Sequence, residues 1–354
     1  MKYKPQFRGV FLPSSILISF LVTCLTLCVV IISSAETEDK NHLLDQALEV
    51  IAAKTDDLAI RSDLTSNPFL SRFGRWMETP LKAPLEAQHE AMEFFRLAKD
   101  PGLWFKKMAR AGDISAPVAL PVEKHMGFEL PAHLPEKLRE AIRLILDSIN
   151  TANIKLAAIR KGITPQKRKL LEKYLYPISP TYSDFLEEIK GPPRVKEIRE
   201  AINATGGVDR KGIFEAGLTV IQALVKAKDL LMEKDKWDGN IRSFSFTTDL
   251  GVVEIGGPDS DLHESQAALV IDLGGNDTYR GRTASGMNGK CSIVLDLDGD
   301  DIYLGEDYTQ GSGFWGIGVL WDLKGNDLYR AGNYSQGSGL FGIGLLMDGG
   351  GRDT

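Results

Sequence analysis

Cysteine is nearly missing from this chain. The 354 residues include three, and two of these, Cys24 and Cys28, sit inside an N-terminal apolar run, leaving Cys291 alone beyond it. Once that run is removed, no intramolecular disulfide can staple the fold, so rigidity must come from elsewhere. Histidine is scarce as well. The five present (His42, His89, His125, His133, His263) include no pair at metal-ligand spacing, and each reads as a surface or capping residue. His89-Glu90 opens like a zinc-protease helix, but position 93 is Glu rather than His, so the motif fails. Basic runs such as Lys167-Arg168-Lys169 are short and balanced by glutamate. They are solvated helix faces, and nucleic acid is not an expected partner.

What the chain does have begins at its start. Lys2, Lys4 and Arg8 precede an apolar stretch from Phe11 to Ile32, and Ser33-Ser34-Ala35 offers small residues before Glu36. This is the order of an export signal over residues 1–35. The stretch exceeds the ~7–15 residues of a cleaved signal core and approaches the ~20 that span a bilayer, so an uncleaved anchor is the alternative. Lipidation fits poorly, because neither Thr23 nor Leu27 is the small residue a modified cysteine needs before it. The charge order leaves the bulk of the protein outside the cytoplasm, whether secreted, periplasmic or membrane-anchored. Contact with a membrane is expected only through this segment, if it stays in place.

Charge and glycine then divide the remainder. From Asp249 onward there are 17 Asp+Glu against 6 Lys+Arg, a net of -11, while the preceding residues carry 36 basic and 31 acidic groups. Of the 35 glycines, 23 fall in that same final stretch. Residues 36–240 read as an α-helical domain. Leu43, Leu44, Ala47, Leu48 and Ile51 recur at helical spacing, as do Leu138, Ile142, Ile145 and Ile149 behind Pro135-Glu136. A third helix is expected from Ile213 to Met232, with Leu218, Ile221, Leu224 and Val225 on one face, and shorter ones over 84–98, 102–111, 165–175 and 193–204. Pairs such as Phe94-Phe95 and Trp104-Phe105 are core material rather than a cofactor box.

Residues 241–354 hold a repeat. Asp272-Leu-Gly-Gly-Asn-Asp-Thr-Tyr279, Asp296-Leu-Asp-Gly-Asp-Asp-Ile-Tyr303, Asp322-Leu-Lys-Gly-Asn-Asp-Leu-Tyr329 and Asp348-Gly-Gly-Gly-Arg-Asp-Thr354 have leading aspartates 24, 26 and 26 residues apart. Between them, Tyr308-Thr-Gln-Gly-Ser-Gly-Phe-Trp matches Tyr334-Ser-Gln-Gly-Ser-Gly-Leu-Phe. Strand-like runs precede each leading aspartate: 268–271, 292–295, 318–321 and 344–347. Short strands punctuated by Gly and Asp at a fixed period suit the coils of a β-solenoid. A degraded first copy is expected at Val253-Glu254-Ile-Gly-Gly-Pro-Asp259, with Glu254 in the first acidic position. The interval from Gly281 to Lys290 lacks the Gln-Gly-Ser-Gly run and reads as a transition coil. Thr354 stops the fourth phrase one residue short of its tyrosine, so the expectation is that the array continues or that a partner covers its last coil.

If one repeat is one coil, equivalent residues stack about 4.8 Å apart. Asp272, Asp296, Asp322 and Asp348 then form one column, and Asp277, Asp301, Asp327 and Asp353 another. Bare carboxylates at that spacing repel by several kcal/mol at an effective dielectric near 20. Backbone donors, raised carboxylate pKa values or bound cations must compensate. Hard oxygen ligands in a Gly-rich loop suit Ca²⁺, which makes these eight aspartates the candidate metal ligands. Asx turns and aspartate ladders without metal are the competing reading. The tyrosines form an aromatic ladder in either case.

Gly275-Asn276-Asp277-Thr278-Tyr279, Gly299-Asp300-Asp301-Ile302-Tyr303 and Gly325-Asn326-Asp327-Leu328-Tyr329 resemble the G-x-D-x-U heart of the RTX (hemolysin-type) calcium-binding repeat. The resemblance implies a parallel β-roll with Ca²⁺ held between turns, and Asp277, Asp301 and Asp327 as its ligands. It covers five to eight residues of each coil. RTX repeats recur every nine residues and their proteins usually carry a C-terminal export signal, whereas here the period is 24–26 and the signal is N-terminal.

The expected fold is therefore α+β and multidomain: an N-terminal signal or anchor helix, an α-helical domain, and a C-terminal right-handed, β-roll-like solenoid. The expected function is that of an exported, non-enzymatic structural, adhesive or binding protein with a Ca²⁺-stabilised repeat module. Its open partners are cell-surface or carbohydrate ligands, or further repeats. Two rivals remain: a β-helix lyase or hydrolase acting on carbohydrate, and a helical binding domain carried on a solenoid stalk.

Overall fold

A computed structural model describes residues 82–124, 127–175, 200, 203–233 and 241–354. The expected signal or anchor segment, the helix around Leu43–Ile51 and most of 193–204 lie outside the described residues. Among the described residues, no helix is long and apolar enough to cross a membrane. The chain divides into two compact units, Met1–Lys99 and Asp100–Thr354. The described part of the first contains helix α1 (Ala83–Leu97), opened by a proline and closed by Arg96 in its last turn.

The second unit begins with helices whose ends follow from local chemistry. Asp100 caps α2 (Pro101–Ala111) by accepting the Leu103 N–H at 2.9 Å, and Pro101 supplies a preset φ at a position that needs no donor. Helix α3 (Glu136–Lys161) starts behind Pro135 with Glu136 in its first turn and ends with Arg160 and Lys161 in its last, matching the helix dipole at both ends. Helix α4 (Pro165–Leu175) follows. Asp209 caps α5 (Arg210–Met232) through the Gly212 N–H at 2.8 Å. The predicted stripes are buried at Leu138, Ile142, Ile145 and Ile149 on α3 and at Leu218, Ile221 and Leu224 on α5, while Val225 is half-buried against the same core. These two helices pack against each other.

Thirteen strands among the described residues, β1 to β13 in chain order, build a solenoid of about three turns with three faces. The long face holds β1 (Phe244–Thr248), β2 (Gly251–Ile255), β4 (Leu269–Asp272), β7 (Cys291–Asp296), β10 (Ile317–Asp322) and β13 (Ile343–Asp348), neighbouring in that order. The β1–β2 pair is antiparallel and every later pair parallel. The second face holds β3 (Leu262–His263), β5 (Thr278–Arg280), β8 (Ile302–Leu304) and β11 (Leu328–Arg330). The third holds β6 (Gly286–Met287), β9 (Gly313–Phe314) and β12 (Gly339–Leu340), so the expected transition coil supplies a strand of its own.

Strands β4, β7 and β10 are buried along their whole length, which means on both faces. The outward residues Leu269, Ile271, Ile293, Leu295, Val319 and Trp321 join the core built by α2, α3 and α5. The inward residues Val270, Val294 and Leu320 pack with Tyr279 and Tyr303 inside the coil. Polar contacts tie the same seam: Asn153 Oδ1 accepts the Cys291 N–H at 2.8 Å, and Arg160 Nη1 donates to the Asn288 carbonyl at 3.0 Å. The helices and the solenoid therefore share one hydrophobic core within the second unit. A β carbon at Gly217 would lie 2.7 Å from the Phe105 ring and 3.0 Å from Ile343, so α5 approaches the sheet where only glycine fits.

Candidate metal centre in the solenoid lumen

Strand parity decides where the first acidic column points. In β4, β7, β10 and β13 the terminal aspartate lies two residues beyond Val270, Val294, Leu320 or Leu346, and so faces inward. Asp272, Asp296, Asp322 and Asp348 stand in register across neighbouring coils. Each closes an Asx turn on its own loop, with Oδ1 accepting from Gly274 (2.8 Å), Asp298 (3.1 Å), Lys324 (3.1 Å) and Gly350 (2.9 Å) respectively. On the other side of the lumen the tyrosine hydroxyls donate to Oδ2 one coil further on: Tyr279 to Asp296 at 2.5 Å, Tyr303 to Asp322 at 2.7 Å and Tyr329 to Asp348 at 2.9 Å. The tyrosine rings stack at 4.5 and 4.8 Å between centroids.

The second column runs beside the first. Oδ1 of Asp277 accepts the Asp261 N–H at 2.5 Å, Asp301 that of Asp277 at 2.6 Å, Asp327 that of Asp301 at 2.8 Å, and Asp353 that of Asp327 at 3.1 Å. The other oxygen tells a different story. Oδ2 of Asp277, Asp301 and Asp327 is buried and has no hydrogen-bond partner. A buried, unpaired carboxylate oxygen is expensive, and here one recurs in every regular coil. The turns permit this stacking through glycine: a β carbon at Gly299 would lie 1.7 Å from the Gly275 carbonyl oxygen.

Electrostatics follow from burial. Asp272, Asp277, Asp296, Asp301, Asp322 and Asp327 are all 0–2 % exposed. Burial, reinforced by neighbouring aspartates, pushes Asp277 and Asp322 up to about 8 and Asp327 to about 6, and raises Asp272, Asp296 and Asp301 as well. The columns therefore hold protons in preference to bare charge, or they hold cations. Carboxylate oxygens of three aspartate triads lie within 4.8 Å of one another: Asp272, Asp277 and Asp296; Asp296, Asp301 and Asp322; Asp327, Asp348 and Asp353. Ligands on opposite sides of a Ca²⁺ ion are about 5 Å apart, so each group has room for an ion of that size; the first two groups are buried, whereas Asp348 and Asp353 of the third are exposed. All eight predicted aspartates fall in these triads, and Asp296 serves two of them. The buried clusters can hold a metal ion, and the orphaned Oδ2 atoms are the donors left for it.

The first coil departs from expectation. Pairing of Val253, Glu254 and Ile255 with Leu269, Val270 and Ile271 brings Gly256, not Glu254, opposite Asp272. The second column begins at Asp261 rather than Asp259, and His263 takes the tyrosine's place, in register with Tyr279 and stacked on it at 4.7 Å. His263 is thus no surface or capping residue. It is 6 % exposed, with Nδ1 3.0 Å from Glu254 Oε2 and Nε2 2.9 Å from Asp272 Oδ2. Burial alone would lower its pKa, but the hydrogen bonds to Asp272 and Glu254 outweigh burial and lift it to about 9. Asp261, His263 and Asp272 form a fourth cluster of ligand-type atoms within 4.8 Å. The signal that could have located His263 is its place two residues after Asp261, where each complete repeat has tyrosine two residues after its second aspartate.

No family model matches the chain, and neither a curated protein nor a solved structure does. What the fold and site define is a β-solenoid with two acidic columns in its lumen and a helical layer on one face.

Proposed function

We propose that this is an exported, non-enzymatic structural or binding protein whose right-handed solenoid is stabilised by Ca²⁺ held between successive coils. The observation that carries the metal reading is the orphaned buried Oδ2 that recurs at Asp277, Asp301 and Asp327. In the RTX-like turn this is the aspartate that would ligate calcium. Asp272 and Asp296 would complete the site of Asp277, Asp296 and Asp322 that of Asp301, and Asp348 and Asp353 that of Asp327, since a carboxylate oxygen keeps a second lone pair after accepting one hydrogen bond.

The non-enzymatic reading rests on access. Six of the eight column aspartates (Asp272, Asp277, Asp296, Asp301, Asp322 and Asp327) are 0–2 % exposed, so a polysaccharide cannot reach them as it would the carboxylates of a lyase or hydrolase. Export rests on the charge and apolar order of residues 1–35.

A metal-free ladder is the specific rival, because Asp296, Asp322 and Asp348 each already have a backbone and a tyrosine hydroxyl donor, and Asp272 a backbone donor and the His263 ring. Thermal melting of the full chain separates the two. Calcium raises the melting temperature and EDTA lowers it under our reading. Identical melting in both leaves the ladder to protons alone.

A further inference from the structure

The first coil is short on one side. From the aromatic column to the next strand of the long face the chain takes 6 residues in the first coil (His263 to Leu269), 14 in the second (Tyr279 to Ile293) and 16 in the third and fourth (Tyr303 to Val319, Tyr329 to Leu345). Those missing residues are the third face. Strands β6, β9 and β12 stack there in later coils, and among the described residues no strand of the first coil pairs with β6. The place is a cavity of about 220 Å³ whose lining includes Gln266, Ala268, Ser285, Met287, Lys290 and Cys291. Ser285 is 3 % exposed, and its hydroxyl lacks a hydrogen-bond partner just as those of Ser312 and Ser338 do in the later coils, so it does not itself mark the gap.

The pattern of the neighbours states what fits. Each strand of this face carries a Ser-Gly-apolar triplet: Ser285-Gly286-Met287, Ser312-Gly313-Phe314 and Ser338-Gly339-Leu340. The glycine is required, because a β carbon at Gly286 would lie 2.1 Å from the Ile317 carbonyl, and one at Gly313 2.0 Å from the Ile343 carbonyl oxygen. Each glycine thus sits on the backbone of the next coil's long-face strand. Ile343 is in register with Ile317, and Ile317 with Cys291. One step earlier, a guest glycine would sit on Cys291, which lines the cavity.

We propose that the mouth beside β6 binds an extended Ser-Gly-apolar peptide segment of a partner chain, which adds as a parallel strand and supplies the missing third side. Its backbone pairs with the open edge of β6 and its glycine rests over Cys291. This is strand addition to a sheet edge, with specificity set by which position tolerates no side chain.

The test uses the full chain and a fluorescein-labelled peptide with the sequence of residues 308–316, Tyr-Thr-Gln-Gly-Ser-Gly-Phe-Trp-Gly. Saturable anisotropy with this peptide and none with a scrambled one is the expected result. Gln266→Trp, at an exposed lining position, should weaken binding at least tenfold with circular dichroism unchanged. A chain with the same nine residues inserted between Ser265 and Gln266 completes its own coil and should lose binding altogether. Failure of the native peptide to bind the folded chain overturns the proposal. So does equal binding of the scrambled peptide, or full binding to the Gln266→Trp variant.

Discussion

Asp301→Asn separates the charge role of the second column from its hydrogen-bonding role. The substitution keeps the side-chain shape and an oxygen acceptor for the Asp277 N–H, which lies 2.6 Å from Asp301 Oδ1. It removes one negative charge from a residue only 1 % exposed. Two carboxylates about 4.8 Å apart repel by about 3.5 kcal/mol at an effective dielectric near 20, the upper bound for one relieved pair. Protons shared along the column reduce that figure, so a gain of about 1–2 kcal/mol is expected in EDTA at pH 8. For a unit of this size, that raises Tm by about 2–8 °C. In saturating calcium the sign reverses, because the variant has lost a ligand from the triad of Asp296, Asp301 and Asp322. Calcium at one hundred times its Kd adds about 2.7 kcal/mol per site, and the variant forfeits most of one such increment. Differential scanning calorimetry of the full chain in both media reads this directly. If Asp301→Asn lowers Tm equally with and without calcium, the carboxylate is a hydrogen-bonding element and the charge argument is wrong.

Other outcomes follow from the same geometry. Asp277 and Asp322 titrate near 8 when folded against an ordinary value of 3.8, so the folded state binds their protons more tightly. Their stabilisation is complete below about pH 4 and is lost as pH rises through about 8. His263, raised to about 9, acts in the same direction at higher pH. Urea unfolding in EDTA should show stability falling from pH 4 to pH 8, with the calcium increment growing over that range; a flat profile contradicts this. Tyr303→Phe keeps the ring stack but removes the 2.7 Å bond to Asp322, and chemical denaturation should show a loss of about 1–3 kcal/mol. Gly299→Ala drives a β carbon into the Gly275 carbonyl and should abolish the cooperative melt, whereas a normal melt would mean the turns do not stack this closely.

The columns are legible in the repeat itself. A fixed period places equal residues side by side, and strand parity then turns Asp296 inward behind Val294. The helices were legible for the same kind of reason, since Pro135-Glu136 and the spacing of Leu138, Ile142, Ile145 and Ile149 define one start and one buried face. The first coil was not. Alignment on the acidic letter put Glu254 in the column, but the loop from Gly256 to Asp272 is 16 residues against 24 and 26 later, and the backbone register chose Gly256. His263 was hidden because a tyrosine position is recognised by its letter, whereas the lumen selects for a planar ring with a polar tip. The shared core was half-visible: Ile293-Val-Leu295 and Val319-Leu-Trp321 are apolar without alternation, the mark of a sheet covered on both sides. Which helices cover it depends on long-range packing that no local pattern encodes.

The most direct test of the central claim is a calorimetric calcium titration of the full chain at pH 8, with the bound metal counted afterwards by mass spectrometry. Calcium in the acidic columns predicts about three ions per chain, one for each aspartate triad, and two for Asp301→Asn. Fewer than half an equivalent bound, or the same count in the variant, would contradict it.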